Sequence, residues 1–187
     1  VRKSVRLLAK VPLIIAIGHR LSAGLEELEP RADLGQAANL LYMIRGAEPA
    51  AAEVDAMNVS LVLYSEHGFN ASAFAGRVTA STLSDLHAAV TTAIGTLAGP
   101  LHGGANEQAM EMLLEIGGPE NAEAWVLEAL QNKKKIMGFG HREYKHGDSR
   151  VPSMKQVAQR MAEQIGDTAW IETASIVENT MVREKGI

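Results

Sequence analysis

The sequence contains no cysteine among its 187 residues, and aromatic residues make up only 4% of it. The absence of cysteine excludes disulfides and thiolate metal sites, and it suits a reducing cytoplasm, the compartment that we predict. Apolar residues account for 47% of the chain, which is enough to build a folded core. Because aromatic residues are scarce and alanine, leucine and methionine are plentiful, the composition favours an all-α fold.

Positive charge and long apolar runs are also limited. The formal net charge is −4, which argues against a nucleic-acid partner. The apolar run Val11–Ile17 contains Pro12 and is far too short to span a bilayer. We therefore predict neither a secretory signal nor a membrane partner. Because the chain begins with Val1 instead of methionine, we expect it to be an internal piece of a longer protein.

Apolar residues recur at helical spacing in seven segments, whereas no segment alternates with a period of two. Asp33, Ser84 and Asp167 are placed to cap three of the predicted helices, and Pro49 and Pro152 to begin two others. The helix that follows Ser84 spans Leu86–Leu97 and is rich in small residues. The last two predicted helices are Ala105–Ile116 and one that carries Trp125–Leu130 and ends in Lys133–Lys135. The small side chains of Leu86–Leu97 allow close approach of a neighbouring helix.

Three of the six histidines lie in glycine-rich junctions between predicted helices, where the backbone is free to present a ligand. They are His67, His102 and His141. A single histidine in such a setting is more often structural than functional, so the three gain meaning only as an ordered set. The remaining histidines, which we interpret as surface or packing residues, are His19, His87 and His146.

The ordered set resembles the citrate synthase family, which includes the 2-methylcitrate synthases. The matching segments are EHGFNAS at 66–72, GPLHGGAN at 99–106, GFGHREYK at 138–145 and Asp148-x-Arg150. The similarity extends over nearly the whole chain but only over the middle of a family member. It implies an acyltransferase that condenses oxaloacetate with an acyl-CoA, either acetyl-CoA or propionyl-CoA, through an enolised thioester.

The resemblance implies a role for each matched side chain. His102 corresponds to the catalytic histidine that donates a hydrogen bond to the thioester carbonyl as the acyl group enolises. His141 corresponds to the catalytic histidine that polarises the ketone of oxaloacetate and protonates the new alkoxide. His67 and Arg150 correspond to ligands of oxaloacetate, and the guanidinium fork of arginine suits a carboxylate.

The resemblance also implies a position for CoA, which is a substrate, and it implies neither a further cofactor nor a metal. In relatives the backbone before the third histidine meets the adenine, and Lys145 matches a position that contacts phosphate. The backbone positions are Met137, Gly138, Phe139 and Gly140. We interpret Lys133–Lys135 as a solvated helix end in preference to a phosphate site.

Two positions depart from the family pattern. Ser149 stands where most relatives have proline between Asp148 and Arg150, and we expect this change to loosen the turn. Glu143 replaces a commonly apolar residue and brings a carboxylate close to His141 in sequence. Neither departure removes a matched functional residue.

The general base is missing from the matched set. Family members remove the α-proton with an aspartate in an Asn-x-Asp motif downstream of this stretch, and the sequence contains no Asn-x-Asp. We therefore expect the base to follow Ile187.

The family organisation implies two helical domains, with residues 1–103 in a large domain and 104–187 in a smaller, mobile one. Oxaloacetate would bind in the cleft, and closure would shield the enolate from water. The resemblance also implies a homodimer, with the helices Val54–Tyr64 and Leu86–Leu97 buried between subunits.

Two alternatives stay open. A metal-dependent hydrolase would use as ligands Glu66, His67, His102 and His141, although the sequence contains no His-x-x-x-His pair. A non-catalytic acyl-CoA-binding or assembly piece is compatible with the missing base. Within the family, the sequence of residues 145–150 favours the 2-methylcitrate synthases. The acetyl and propionyl groups differ by one methylene, however, and a pocket discriminates between such groups by only ~1–3 kcal/mol.

Overall fold

The computed structural model describes residues 1–139 and 147–186. Within those residues the chain forms helices and no strand, which confirms the all-α prediction. The helices are α1 (Arg2–Ser22), α2 (Gln36–Arg45), α3 (Ala51–Tyr64), α4 (Ala71–Ser81), α5 (Leu86–Leu97), α6 (Gly104–Ile116), α7 (Pro119–Gln131), α8 (Val151–Ile165) and α9 (Ala169–Lys185). In the same residues, none of the helices has the length and apolar character needed to cross a membrane.

The chain divides into two compact units, Val1–His67 and Gly68–Ile187. The first unit contains α1 to α3, and the second contains α4 to α9. The predicted boundary between residues 103 and 104 concerns the domains of a complete family member and stays a prediction.

The first unit is organised around the end of α1. Arg20 is only 8% exposed, and its guanidinium donates to the carbonyl oxygens of Glu26 and, at 3.2 Å, Ile44. These acceptors lie after α1 and in the last turn of α2, where helix carbonyls lack intrahelical partners. One buried cation therefore joins the chain that follows α1 to the end of α2.

The second unit has its core between α6, α7 and α9. The buried side chains come from these three helices and from one residue after α7, and they are Met112, Ile116, Ala122, Val126, Ala129, Ile136, Val177 and Met181. The core therefore extends past the end of α7 to the chain that follows it.

Helices α4 and α5 pack closely because small residues meet at their contact. A Cβ atom placed on Gly76 of α4 would lie 3.4 Å from the carbonyl oxygen of Ala89 and 3.5 Å from the Cβ of Ala93. This contact confirms that the small side chains of α5 allow a close neighbour.

Two predicted helix caps are wrong by one or two residues. Helix α5 is capped by Asp85, whose Oδ1 accepts the N–H of Ala88 at 2.9 Å, and not by Ser84. Helix α2 begins after Gly35 because the Asp33 carboxylate instead pairs with Arg31 at 2.5 Å. Local sequence offers several cap residues in a row, and tertiary contacts select among them.

The remaining starts are closer to prediction. Pro152 is the second residue of α8, as predicted. The N-cap of α9 is Thr168, but the carboxylate of Asp167 accepts the N–H of Ala169 at 3.0 Å. Helix α3 begins after Ala50, one residue beyond Pro49.

Candidate functional site

His102 lies in a tight turn that joins α5 to α6. Its N–H donates to the carbonyl oxygen of Gly99 at 2.9 Å, and the N–H of Gly103 donates to that of Leu97 at 2.8 Å. A Cβ atom on Gly103 would come within 2.5 Å of the Leu97 carbonyl oxygen, so only glycine allows this turn to close. The turn places a half-buried His102 two residues before α6.

The imidazole of His102 contacts the first turn of α4. Its Nε2 atom lies 3.0 Å from the hydroxyl oxygen of Ser72 and 3.3 Å from the Ser72 backbone nitrogen. Asn70 caps this helix, accepting the N–H of Ala73 at 3.0 Å and the hydroxyl of Ser72 at 2.8 Å. The structure therefore joins His102 to a residue 30 positions earlier in the chain.

These contacts distinguish the two neutral tautomers of His102. If Nε2 carried the proton, it would donate to the Ser72 hydroxyl, but the backbone N–H of Ser72 would then face another hydrogen. Because a backbone N–H can only donate, its contact makes Nε2 an acceptor, and Nδ1 carries the proton of the neutral ring. The single hydrogen of the Ser72 hydroxyl is then shared between Nε2 and Oδ1 of Asn70. Within residues 1–139 and 147–186, Nδ1 makes no hydrogen bond. The ring thus presents a donor that those residues do not use.

The role of Ser72 was not predicted from the sequence, although this residue lies inside the recognised segment 66–72. No local pattern links it to His102, because the contact depends on how α4 approaches the turn before α6. The only available signal was the position of Ser72 just after a good cap residue, Asn70.

Arg150 is held by the acidic residue two positions before it. Its Nε and Nη2 atoms donate to the two oxygens of Asp148, at 3.0 Å and 2.6 Å, and its backbone N–H donates to the same carboxylate at 2.9 Å. Their side chains are 23% and 22% exposed. Asp148 therefore fixes both the turn and the direction of the guanidinium, although Ser149 replaces the proline of relatives.

The described part of the predicted CoA segment lies against the core of the second unit. Ile136 is 6% exposed, and Met137 and Phe139 pack against the same cluster. Gly138 lies between them with a φ of +90°, a conformation that residues with a Cβ rarely adopt. The core thus anchors the backbone on both sides of Gly138.

Lys134 follows a helix end and has a side chain that is 48% exposed, and it also forms an ion pair. Helix α7 ends at Gln131, and the Nζ atom of Lys134 binds the carboxylate of Glu115 at 2.6 Å and 2.9 Å. The hydrogen bond from Lys134, followed by one from Trp125, lowers the pKa of Glu115. The pair is therefore charged at neutral pH.

The other predicted site residues are placed as follows. His67 is half-buried and is the last residue of the first unit, between α3 and α4. Three predicted positions, His141, Gly140 and Lys145, lie outside the described residues.

The metal alternative requires clustered ligands. Among the residues that the structure describes, no three histidine or acidic side chains come together in a way that could hold a metal ion. His141 lies outside them, so measurement of bound zinc in the purified protein is the direct test of this alternative.

An open groove of about 810 Å³ lies between α8 and α9, with Lys155, Arg160 and Trp170 among its lining residues. None of the predicted site residues lines it. We assign the groove no role in the chemistry.

Comparison with known proteins gives consistent results. All residues from 1 to 187 match the family model described as citrate synthase, C-terminal domain. The chain is 49% identical to citrate synthase 2 of Bacillus subtilis over 98% of its own length and 50% of that protein. It is 48% identical to 2-methylcitrate synthase of Mycobacterium tuberculosis, over 99% of its length and 47% of that protein.

A solved structure agrees with these relatives. The ternary complex of carboxymethyl-CoA and oxaloacetate with citrate synthase from Thermoplasma acidophilum matches with a TM-score of 0.88 and 34% identity, covering 96% of this chain and 48% of that one. The chain thus spans about half the length of the relatives that it matches. The match to the family model over every residue places the chain in the citrate synthase family.

Proposed function

We propose that the full-length protein is an acyltransferase that condenses oxaloacetate with an acyl-CoA, giving citrate or 2-methylcitrate and free CoA. The observation that carries this proposal is the geometry of His102, whose Nδ1–H, presented from a glycine-dependent turn, is not used by any residue in the described part of the chain. Family membership supplies the reaction class. The ternary complex of the Thermoplasma acidophilum enzyme supports oxaloacetate and a CoA derivative as ligands.

In this reaction His102 stabilises the enolate. A base removes a proton from the carbon next to the thioester, and negative charge develops on the thioester oxygen. A neutral imidazole that donates from Nδ1 lowers the energy of that oxygen without giving up its proton. The enolate carbon then attacks the ketone of oxaloacetate, and His141 protonates the resulting alkoxide. Water finally cleaves the thioester of this adduct, which gives the carboxylate of the product and free CoA.

The substrates are bound by the remaining matched residues. His67 and Arg150 bind oxaloacetate, and the backbone of Met137, Gly138, Phe139 and Gly140 receives the adenine of CoA, with Lys145 at a phosphate. No organic cofactor or metal takes part in the proposed reaction, and neither nucleic acid nor membrane is a proposed partner.

We further propose that the full-length protein is a cytoplasmic homodimer. No residue of α3 or α5 is buried in the single chain. Val62 of α3 is 70% exposed and Ile94 of α5 is 52% exposed, so each helix offers apolar surface that a second subunit could cover. Light scattering on the full-length protein measures this directly.

The decisive experiment for the function measures release of free CoA by the full-length protein. We expect release from acetyl-CoA or propionyl-CoA that depends on oxaloacetate, and comparing the two donors defines the acyl preference. Hydrolysis that proceeds equally without oxaloacetate, or no release with either donor, would contradict the proposed condensation.

Replacing Arg150 with lysine is expected to raise the KM for oxaloacetate by ~10-fold with a smaller effect on kcat, because a point charge replaces a two-pronged donor. Lysine also cannot reproduce the paired hydrogen bonds to Asp148. Steady-state rates at varied oxaloacetate measure the effect. The matched control is Arg183→Lys, an exposed arginine on α9 that pairs with Glu123. Equal changes in both variants would exclude the assigned role.

Replacing Ser72 with alanine is expected to lower kcat by ~5-fold, the effect of losing a hydroxyl that lies 3.0 Å from Nε2 of His102 and shares its hydrogen between that atom and Oδ1 of Asn70. The effect stays modest because the Ser72 backbone N–H still donates to that atom. The control is Ser81→Ala on the same helix, whose hydroxyl donates, among the described residues, to the Val78 carbonyl alone. An unchanged kcat in Ser72→Ala would show that the hydroxyl does not support His102.

A further inference from the structure

A single ammonium group connects α6, α7 and the chain that leaves α7. The Nζ atom of Lys134 lies 2.6 Å from one carboxylate oxygen of Glu115 and 4.7 Å from the centre of the Trp125 ring. The indole N–H of Trp125 donates to the same carboxylate at 3.2 Å. Glu115 lies in the last turn of α6 and Trp125 in the middle of α7. We call these three side chains the Lys134 clamp.

The backbone at the clamp makes a sharp change of direction. Lys133 has a φ of +56°, which is uncommon for a residue with a side chain. The next N–H, from Lys134, turns back to the carbonyl oxygen of Ala129 at 2.8 Å. The clamp therefore holds the chain at the point where it leaves α7.

The predicted CoA segment starts immediately beyond this point. Ile136, two residues after Lys134, is buried in the core, and Met137 and Phe139 pack against the same core. The direction in which the chain leaves α7 consequently decides how residues 137–139 present their backbone. A change of backbone direction at Lys134 would be transmitted to Ile136 through one intervening residue, and from Ile136 to the segment 137–139 that follows it.

We propose that Lys134 is a positioning residue for the CoA-binding segment, acting through Glu115 and Trp125 and not by contact with a phosphate. This inference rests on the proposed function, because it assumes that residues 137–139 receive CoA. A positioning role for Lys134 and direct attraction of a CoA phosphate by its charge predict opposite effects of the Glu115 carboxylate on CoA binding. A carboxylate beside a phosphate site would weaken binding, whereas a carboxylate that holds the clamp would strengthen it.

The neighbouring lysines provide matched controls. Lys133 and Lys135 are exposed and carry the same charge at adjacent positions of the same segment. Neither makes an ion pair within the residues that the structure describes. If the three lysines acted as a common phosphate-attracting patch, removal of any one would have a similar effect.

The experiment compares five variants of the full-length protein with the unmodified enzyme, varying acyl-CoA at saturating oxaloacetate and then the reverse. The variants are Lys134→Ala, Lys134→Arg, Glu115→Gln, Lys133→Ala and Lys135→Ala. We expect Lys134→Ala and Glu115→Gln each to raise the KM for acyl-CoA by ~5-fold, the scale of one exposed ion pair with a cation–π contact. The KM for oxaloacetate and the kcat should change by less than ~2-fold, because the clamp touches neither His67 nor Arg150.

Two further results are expected if the clamp acts as a unit. Unlike Lys134→Ala, Lys134→Arg should keep a near-normal KM for acyl-CoA, because a guanidinium can both pair with Glu115 and stack on Trp125. Combining Lys134→Ala with Glu115→Gln should cost no more than either change alone, since both break the same interaction.

Three results would overturn the inference. Equal increases in KM for all three lysine variants, together with a lower KM in Glu115→Gln, would show direct attraction of phosphate. An unchanged KM for acyl-CoA in Lys134→Ala, with or without a lower melting temperature, would limit Lys134 to a structural role and leave the proposed function intact. No oxaloacetate-dependent CoA release by the unmodified protein would overturn the proposed function, and this inference with it.

Discussion

Replacing His102 with alanine in the full-length protein is expected to lower kcat by ~10²-fold or more, the typical cost of removing a donor that stabilises a developing oxyanion. The effect should appear in kcat because the hydrogen bond strengthens as charge moves onto the thioester oxygen. Binding of oxaloacetate alone should be little affected, since His102 is assigned to the thioester. Rates of CoA release and calorimetric binding of oxaloacetate measure the two effects separately.

The matched control is His19→Ala. His19 is an exposed residue near the end of α1, a helix that is assigned neither to the site nor to the subunit interface. This variant should retain wild-type turnover. Near wild-type turnover in His102→Ala, with an intact helical fold by circular dichroism, would show that another group stabilises the enolate.

The tautomer assigned to His102 can be examined independently of turnover. Nitrogen NMR distinguishes a protonated Nδ1 from a protonated Nε2 in a neutral imidazole. A proton on Nε2 would leave Nδ1 without a hydrogen to donate, and the proposed role would then require a different geometry from that set by Ser72.

Periodicity predicted seven of the helices because each carries apolar residues at helical spacing and is bounded by glycine, proline or a polar cap. Helix α1 was missed, since Pro12 interrupts its only apolar run. Proline cannot donate to the carbonyl of Leu8 four residues earlier, and the side chain of Gln36 donates to that oxygen instead, at 3.3 Å. This replacement hydrogen bond comes from a residue of α2, so no pattern within α1 predicts it.

Helix α4 was missed for a different reason. Its sequence contains Gly76 and several alanines, and it has little apolar periodicity of its own. Close packing against Ala89 and Ala93 of α5 supplies the contacts that its side chains lack locally. The same helix carries Ser72, so one missed element also concealed the partner of His102.

The ordered glycine–histidine segments identified the family, because tight turns restrict the sequence strongly. Gly103 illustrates this restriction, since any side chain there would collide with Leu97. Other contacts depend on pairs that are distant along the chain, such as Lys134 with Glu115, 19 residues apart. Charge patterns give no indication of such pairs, which is why Lys134 was grouped with its solvated neighbours.

A polypeptide of these 187 residues alone is expected to release no CoA from acetyl-CoA and oxaloacetate, even if it folds. Removal of the α-proton needs a positioned base, and the sequence has no Asn-x-Asp motif to match the family's aspartate. His102 is assigned as the donor to the thioester oxygen, so it cannot accept the α-proton in the same step. The carboxylate of Asp148 is engaged by Arg150.

The measurement compares this polypeptide with a version extended to the full length of its relatives, using a thiol reagent to follow free CoA. Circular dichroism establishes whether the short form is helical, so that lack of activity is not confused with lack of folding. Only the extended form should show oxaloacetate-dependent release. Activity in the short form would mean that the base lies within these residues. Asp148→Asn would then be the first variant to test, because Asp148 is the acidic residue closest in sequence to the assigned ligand Arg150.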